Sequence, residues 1–79
     1  MKVRVHITLK PGVLDPQGAA VRRSLDSLGF DGIEKVRQGK LIELDLKETD
    51  VLKATAQVEK MCEKLLANTV IENYLVEIL

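Results

Sequence analysis

The sequence predicts an α+β fold: a ferredoxin-like βαββαβ antiparallel sheet in two layers, with two helices on one face. Three observations lead there. Residues 2–9 alternate strictly, with Val3, Val5, Ile7 and Leu9 on one side and Lys2, Arg4, His6 and Thr8 on the other, the period of a half-buried strand. Two stretches, after Asp15-Pro16 and after Asp50, carry apolar residues at helical spacing behind a capping carboxylate. Further alternating or β-branched segments lie between and after them. The order is therefore strand, helix, strand, strand, helix, strand.

Each element has a local cause. Lys10-Pro11-Gly12 breaks the first strand. Asp15 caps the first helix and Pro16 takes its first position, where a fixed φ and a missing N–H do no harm. Ala20, Val21, Leu25 and Leu28 form the stripe expected to be buried. Gly29 supplies a left-handed stop after which Phe30 can fold back. Asp31-Gly32 is a turn, residues 33–37 a short extended piece, and Gln38-Gly39 reads as a tight reversal into a strand over 40–47. Ile42, Leu44 and Leu46 of that strand point inward, and Glu43, Asp45 and Lys47 outward.

Glu48-Thr49-Asp50 caps the second helix, expected over 50–67. Its apolar face reads as Val51, Val58 and Leu65 at seven-residue spacing. Ala54, Met61 and Cys62 fill the half-turns, and Leu52 and Leu66 widen the stripe. On this facing Leu65→Asp would unfold the chain. Ala67-Asn68-Thr69 ends the helix, with Asn68 suited to a left-handed close. Residues 70–78 form the final strand, apolar on both faces: Ile71 and Leu75 on one, Tyr74, Val76 and Ile78 on the other. Such a strand belongs in the middle of a sheet or against a partner.

The 79 residues make one domain, 1–79, of a size whose core alone gives only a few kcal/mol, so a dimer or larger assembly is expected. Twelve Lys and Arg balance twelve Asp and Glu, which argues against nucleic acid or a membrane surface as partner. No apolar run suits a signal peptide or a span of ~20 residues, so a cytoplasmic protein is expected. A single Cys precludes an intrachain disulfide, and spacing for a metal site is absent.

The catalytic inventory is thin. His6 sits mid-strand on the polar face, and Cys62 lies on an apolar stripe where packing is the plainer role. Glu43 and Asp45 share a strand face with Lys47, a neutralised outward row. Gly12 and Gly18 bracket a helix start without the spacing of a phosphate loop, and Asp15 would repel an anion there. An RNA reader of this topology needs aromatic residues on its central strands, and a metal chaperone needs paired thiols; neither is present. The chain therefore acts by binding. A dimeric small-molecule-sensing regulatory module of ferredoxin-like topology stays open as an alternative.

Three stretches go beyond pattern. Lys10-Pro11-Gly12-Val13-Leu14-Asp15-Pro16-Gln17-Gly18, Val36-Arg37-Gln38-Gly39-Lys40, and the run from Met61 through Asn68-Thr69-Val70 to Glu72 resemble the PurS family, with the same length and element order. PurS is the small subunit of phosphoribosylformylglycinamidine (FGAM) synthase, in the fourth step of de novo purine synthesis. Gln38 departs from the hydrophobic residue the family commonly shows there. The resemblance implies a non-catalytic subunit, a homodimer or tetramer, that brings together the glutaminase PurQ and the synthetase PurL so that ammonia passes between them. It implies ATP and Mg in the complex but no catalytic residue, cofactor or metal held by this chain. The partner contacts expected from the exposed residues of these stretches are Arg37 and Lys40 beside Gly39, Asn68 and Thr69 at the helix-to-strand corner, and Tyr74 on the final strand.

Overall fold

β1 (Lys2–Leu9) is the central strand of a three-stranded antiparallel sheet. β2 (Gly39–Asp45) lies on one side of it and β3 (Glu72–Ile78) on the other, in a computed structural model that describes all 79 residues. The alternation read from the sequence sets the facing: Val3, Val5 and Ile7 are buried beneath a helix, while Lys2, His6 and Thr8 are exposed on the open face. The register pairs Val5 with Ile42 and with Val76, so three apolar side chains form a row across the helix-side face.

The first helix, α1 (Pro16–Ser27), starts and stops as its sequence requires. Asp15 caps it, and its end is a Schellman closure: Gly29 at φ 92° lets its own N–H reach Asp26 and the Phe30 N–H reach the Leu25 carbonyl. The second, α2 (Val51–Met61), is capped by the Asp50 carboxylate, which accepts from the amides of Leu52 and Lys53. It runs directly into one π-helical turn, Cys62–Leu66, where the Ala67 N–H donates five residues back to the Cys62 carbonyl.

That wider turn corrects the expected helix face. Residues seven apart share a face of a regular α-helix, but the extra residue in the π turn rotates the chain beyond it. Ala54, Val58 and Cys62 are buried and Leu66 packs against them, whereas Leu65 is 83% exposed; Val51 and Leu52, in the first turn of α2 and before the π turn, are exposed independently of it. Asn68 does not adopt a left-handed conformation; the helix ends as Ala67 turns extended at φ −126°, ψ 142°.

The layers also differ from the expected detail, although the α+β class stands. Residues 31–38 pair with no strand and make no backbone–backbone hydrogen bond, so the sheet has three strands rather than four. Gly39 is not part of a reversal. It is the first residue of β2, facing Thr8 of β1, and residues 33–38 lead into it without regular secondary structure. No α1 residue joins the core cluster, and Gly18 is its only buried residue. α1 and residues 30–38 instead form an arm projecting from the end of the sheet. The chain measures 48 × 25 × 15 Å, with a radius of gyration of 15.9 Å against about 12 Å for a compact chain of this length.

Candidate interaction surfaces

The base of the arm is locked by two side chains from different ends of the sequence. Asp15 is only 8% exposed, and one carboxylate oxygen accepts from the Gly18 amide at 2.9 Å. The other accepts from the Gln38 amide at 2.8 Å, 23 residues away. The Gln38 and Gly18 amides, then the Arg37 guanidinium, hold this carboxyl below its ordinary range against the opposing effect of burial. Arg37 reaches across the same junction, donating to the carbonyls of Val13 (3.1 Å), Lys10 (3.1 Å) and Leu9 (3.4 Å). Its charge thus ties the 9–13 loop to the returning chain. Gly18 completes the junction, since a Cβ there would sit 2.5 Å from the Val36 carbonyl oxygen.

Beside this junction, under the end of the sheet, is an open cavity of about 340 Å³ whose walls include Asp15, Gln38, Lys40 and Glu72. Lys40 Nζ stands 3.8 Å from one Glu72 oxygen; the other accepts from the Asn68 amide at 2.7 Å. Asn68 in turn organises the corner into β3. Its carbonyl accepts from Ile71 and Glu72, and its side chain accepts from the Val70 amide at 3.2 Å. Thr69 sits half-buried in that turn. Lys40 and Asn68 therefore meet at Glu72, with Arg37 on the adjoining junction.

Tyr74 stands apart from the others. Its side chain is on the helix side, half-buried, and its hydroxyl donates to Glu63 of the π turn at 2.7 Å. That bond to a carboxylate, with burial, pushes the phenol up to about 12. Cys62 is the first residue of the same turn, its thiol raised by burial and by Glu63 and Glu59. His6 is on the opposite, open face, where Nε2 lies 3.0 Å from Glu77, so the two candidate nucleophile and base residues are separated by the sheet. Sequence reasoning singles out neither Asp15 nor Glu72 as a site residue, although both organise this end of the molecule. Asp15 reads as a helix cap, which it is, but its second bond to Gln38 joins positions that only the fold brings together.

Part of the exposed surface is apolar. On the open face of the sheet Leu41 and Leu75 flank His6 in one cross-strand row, with Leu75 66% exposed. Near the tip of the arm, Leu28 is 73% and Phe30 57% exposed. Uncovered leucines on a sheet face and on a helix end are the surface of an interaction module, a chain built to be part of an assembly.

Its family model is that of PurS, phosphoribosylformylglycinamidine (FGAM) synthase, which matches residues 2–79. The chain belongs to the PurS family. It is 55% identical over 95% of its length to the phosphoribosylformylglycinamidine synthase subunit PurS of Synechocystis, covering 75% of that protein. To the Bacillus subtilis PurS subunit it is 48% identical over 98% of its length, covering 90% of that one. Its fold superposes on Methanocaldococcus jannaschii PurS with a TM-score of 0.87 at 42% identity, covering 96% of this chain and 92% of that chain. It also superposes on a chain of the PurLQS structure from Thermotoga maritima with a TM-score of 0.89 at 35% identity, covering 99% and 95%.

Proposed function

We propose that this chain is the small, non-catalytic subunit of a phosphoribosylformylglycinamidine synthase. In this reading it works as a homodimer, holding a glutaminase subunit (PurQ) and a synthetase subunit (PurL) together. Ammonia released from glutamine then reaches the ATP-dependent amidination of formylglycinamide ribonucleotide without entering bulk water. The observation that carries this reading is the end-to-end likeness to a chain of the Thermotoga maritima PurLQS structure, at 35% identity over 99% of the chain.

The physical reason for such a subunit is effective concentration. Ammonia released into water at neutral pH is protonated and diluted, whereas tethering source to sink makes its transfer effectively intramolecular. The subunit needs shape and exposed apolar surface for this, not a nucleophile. ATP and magnesium serve the synthetase subunit, and this chain holds neither. Lys40, Asn68 and Thr69, gathered around Glu72 at one end of the sheet, offer polar contacts to a larger subunit. Arg37 contributes chiefly by tying the 9–13 loop to the chain entering β2, and Tyr74 by holding β3 to the π turn.

Reconstitution tests the reading. The synthetase and glutaminase subunits are mixed with and without this chain, and product is followed with glutamine or with ammonium as nitrogen source. The glutamine reaction is expected to depend on this chain and the ammonium reaction to proceed without it. Equal glutamine rates in its presence and absence would reject the coupling role.

A further inference from the structure

The sheet ends on β3, and the outer edge of that strand is bare. The Lys10 N–H donates to the Ile71 carbonyl at 2.8 Å and the Leu79 N–H to the Lys2 carbonyl at 3.0 Å, so Asn73, Leu75 and Glu77, which lie between, address their backbone groups to β1. The N–H and C=O groups of Tyr74, Val76 and Ile78 therefore point away from the sheet, where no strand follows. Edge strands are ordinarily blunted by lysine, proline or a bulge. The stretch Glu72–Ile78 contains no lysine and no proline, and its register with β1 runs without a bulge.

Two rows of side chains flank this edge. On the helix side stand Glu59 of α2 and Glu63 of the π turn; the Tyr74 hydroxyl bonds Glu63 at 2.7 Å, and the charges of both carboxylates bear on Tyr74. Neither has a cationic partner, since the ion pairs of the chain are Arg4–Glu43, His6–Glu77 and Lys40–Glu72. Like charges four residues apart on a helix repel one another, so the pair destabilises the free chain and an added cation relieves it. On the open side Leu75 is 66% exposed, with Asn73 and Glu77 exposed on the same face.

From the bare edge and its two rows we infer that β3 receives an added strand from one of the larger synthase subunits. The added segment is extended along Tyr74–Ile78. It carries Lys or Arg on its helix side, against Glu59 and Glu63, and an apolar side chain on its open side, against Leu75. Main-chain bonds give such a strand its hold, and the alternation of its side chains gives its specificity. The inference deepens the adaptor reading and rests on it, since the strand belongs to a subunit that this chain is proposed to couple.

Charge also says what the occupant is not. The β3 of a second copy, pairing antiparallel with this one, brings Glu59 and Glu63 of both copies to the same side of the joined sheet. Like-charge juxtaposition opposes that contact, whereas a basic strand is drawn to it. Each main-chain bond formed on the edge is a modest net gain, because it replaces a bond to water. Occupation therefore depends on the flanking rows as much as on the ladder: the carboxylates gain cations, and Leu75 is shielded from water.

Amide hydrogen exchange in the complex assembled from this chain and the purified synthetase and glutaminase subunits tests the docking. In the free chain the Tyr74, Val76 and Ile78 amides are expected to exchange rapidly. Those of Asn73, Leu75 and Glu77, bonded to β1, are expected to be slow and report that the sheet is intact. On assembly the three outward amides should slow by about tenfold or more. Val76→Pro removes one outward N–H and leaves the ladder to β1 whole, so it should keep the far-UV spectrum of the folded chain and weaken capture about tenfold. Glu59→Lys should weaken capture at low salt and do so less at high salt, and it decides the matter if Val76→Pro does not fold. Outward amides that still exchange rapidly in the complex, or that are already protected in the chain alone, would overturn the inference. So would a folded Val76→Pro or a Glu59→Lys chain captured like wild type. If the edge is protected on assembly but the glutamine reaction runs equally well without the chain, the coupling role falls and the docking stands. A chain that binds neither subunit removes both.

Discussion

Gly39→Ala separates the geometry of this sheet from a general rule about glycine. Replacing a glycine at an ordinary backbone conformation usually stabilises by about 0.4–1 kcal/mol, because the unfolded chain loses freedom. Gly39 has an ordinary φ, being absent from the three glycines with positive values, so the rule alone forecasts a gain. The packing says otherwise. A Cβ at Gly39 would lie 2.4 Å from the Ile7 carbonyl oxygen and 2.9 Å from Thr8 Cγ2. Ordinary contact begins near 3.4 Å, so β2 must retreat by roughly 1 Å just where its ladder with β1 begins. Inserting one carbon into such a contact costs about 1–3 kcal/mol, which outweighs the gain. For a domain of this size a net loss of about 1–2 kcal/mol lowers the melting temperature by roughly 5–15 °C. Thermal denaturation by circular dichroism reads this directly, and an unchanged or higher melting temperature would refute the close approach of β2 to β1.

The same structure sets three further outcomes. Leu65→Asp should leave the far-UV spectrum that of the folded chain, while Val58→Asp, which buries an unpaired carboxylate at a fully buried position, should abolish it; the reverse would refute the π-turn facing. Asp15 has a folded pKa below 3.8, so its bonds stabilise fully above that pH and are lost as pH falls through the folded value. Asp15→Asn should therefore melt lower than wild type at neutral pH, with the difference shrinking in acid; a constant difference from about pH 6 to 2 would exclude the carboxylate as the cause. For Tyr74 the sign is opposite, because its pKa is raised from 10.0 to about 12. The stability lost in Tyr74→Phe should be constant below pH 10 and diminish between 10 and 12, as measured by urea unfolding across that range.

Much was legible in local chemistry, where a residue's neighbours in sequence are also its neighbours in space. The strict alternation of residues 2–9 set the facing of β1, Asp15-Pro16 and Asp50 set the helix starts, and Gly29 set a helix end, because period and capping act within a few residues. The dual apolar character of β3 was equally plain, and it marked surface that a single chain leaves uncovered. The stretches around Pro11, Gly39 and Asn68 carried the family itself.

What the sequence could not determine depended on contacts across long separations. A seven-residue apolar spacing fits a regular helix, and only packing of Cys62 and Leu66 against the sheet selects the π turn that leaves Leu65 outside. Arg37 looks like a free surface cation, but the tertiary arrangement surrounds it with three carbonyls of a loop 24 to 28 residues away. Residues 33–37 have the composition of a strand, and composition does not say where the partner strand is. Asp15 bonds Gln38 and thereby sends the arm outward, so the tertiary structure alone decided that this chain builds three strands instead of four. Strand propensity is local, whereas pairing requires an edge within reach, and this chain's own β2 edge is not within reach of its arm.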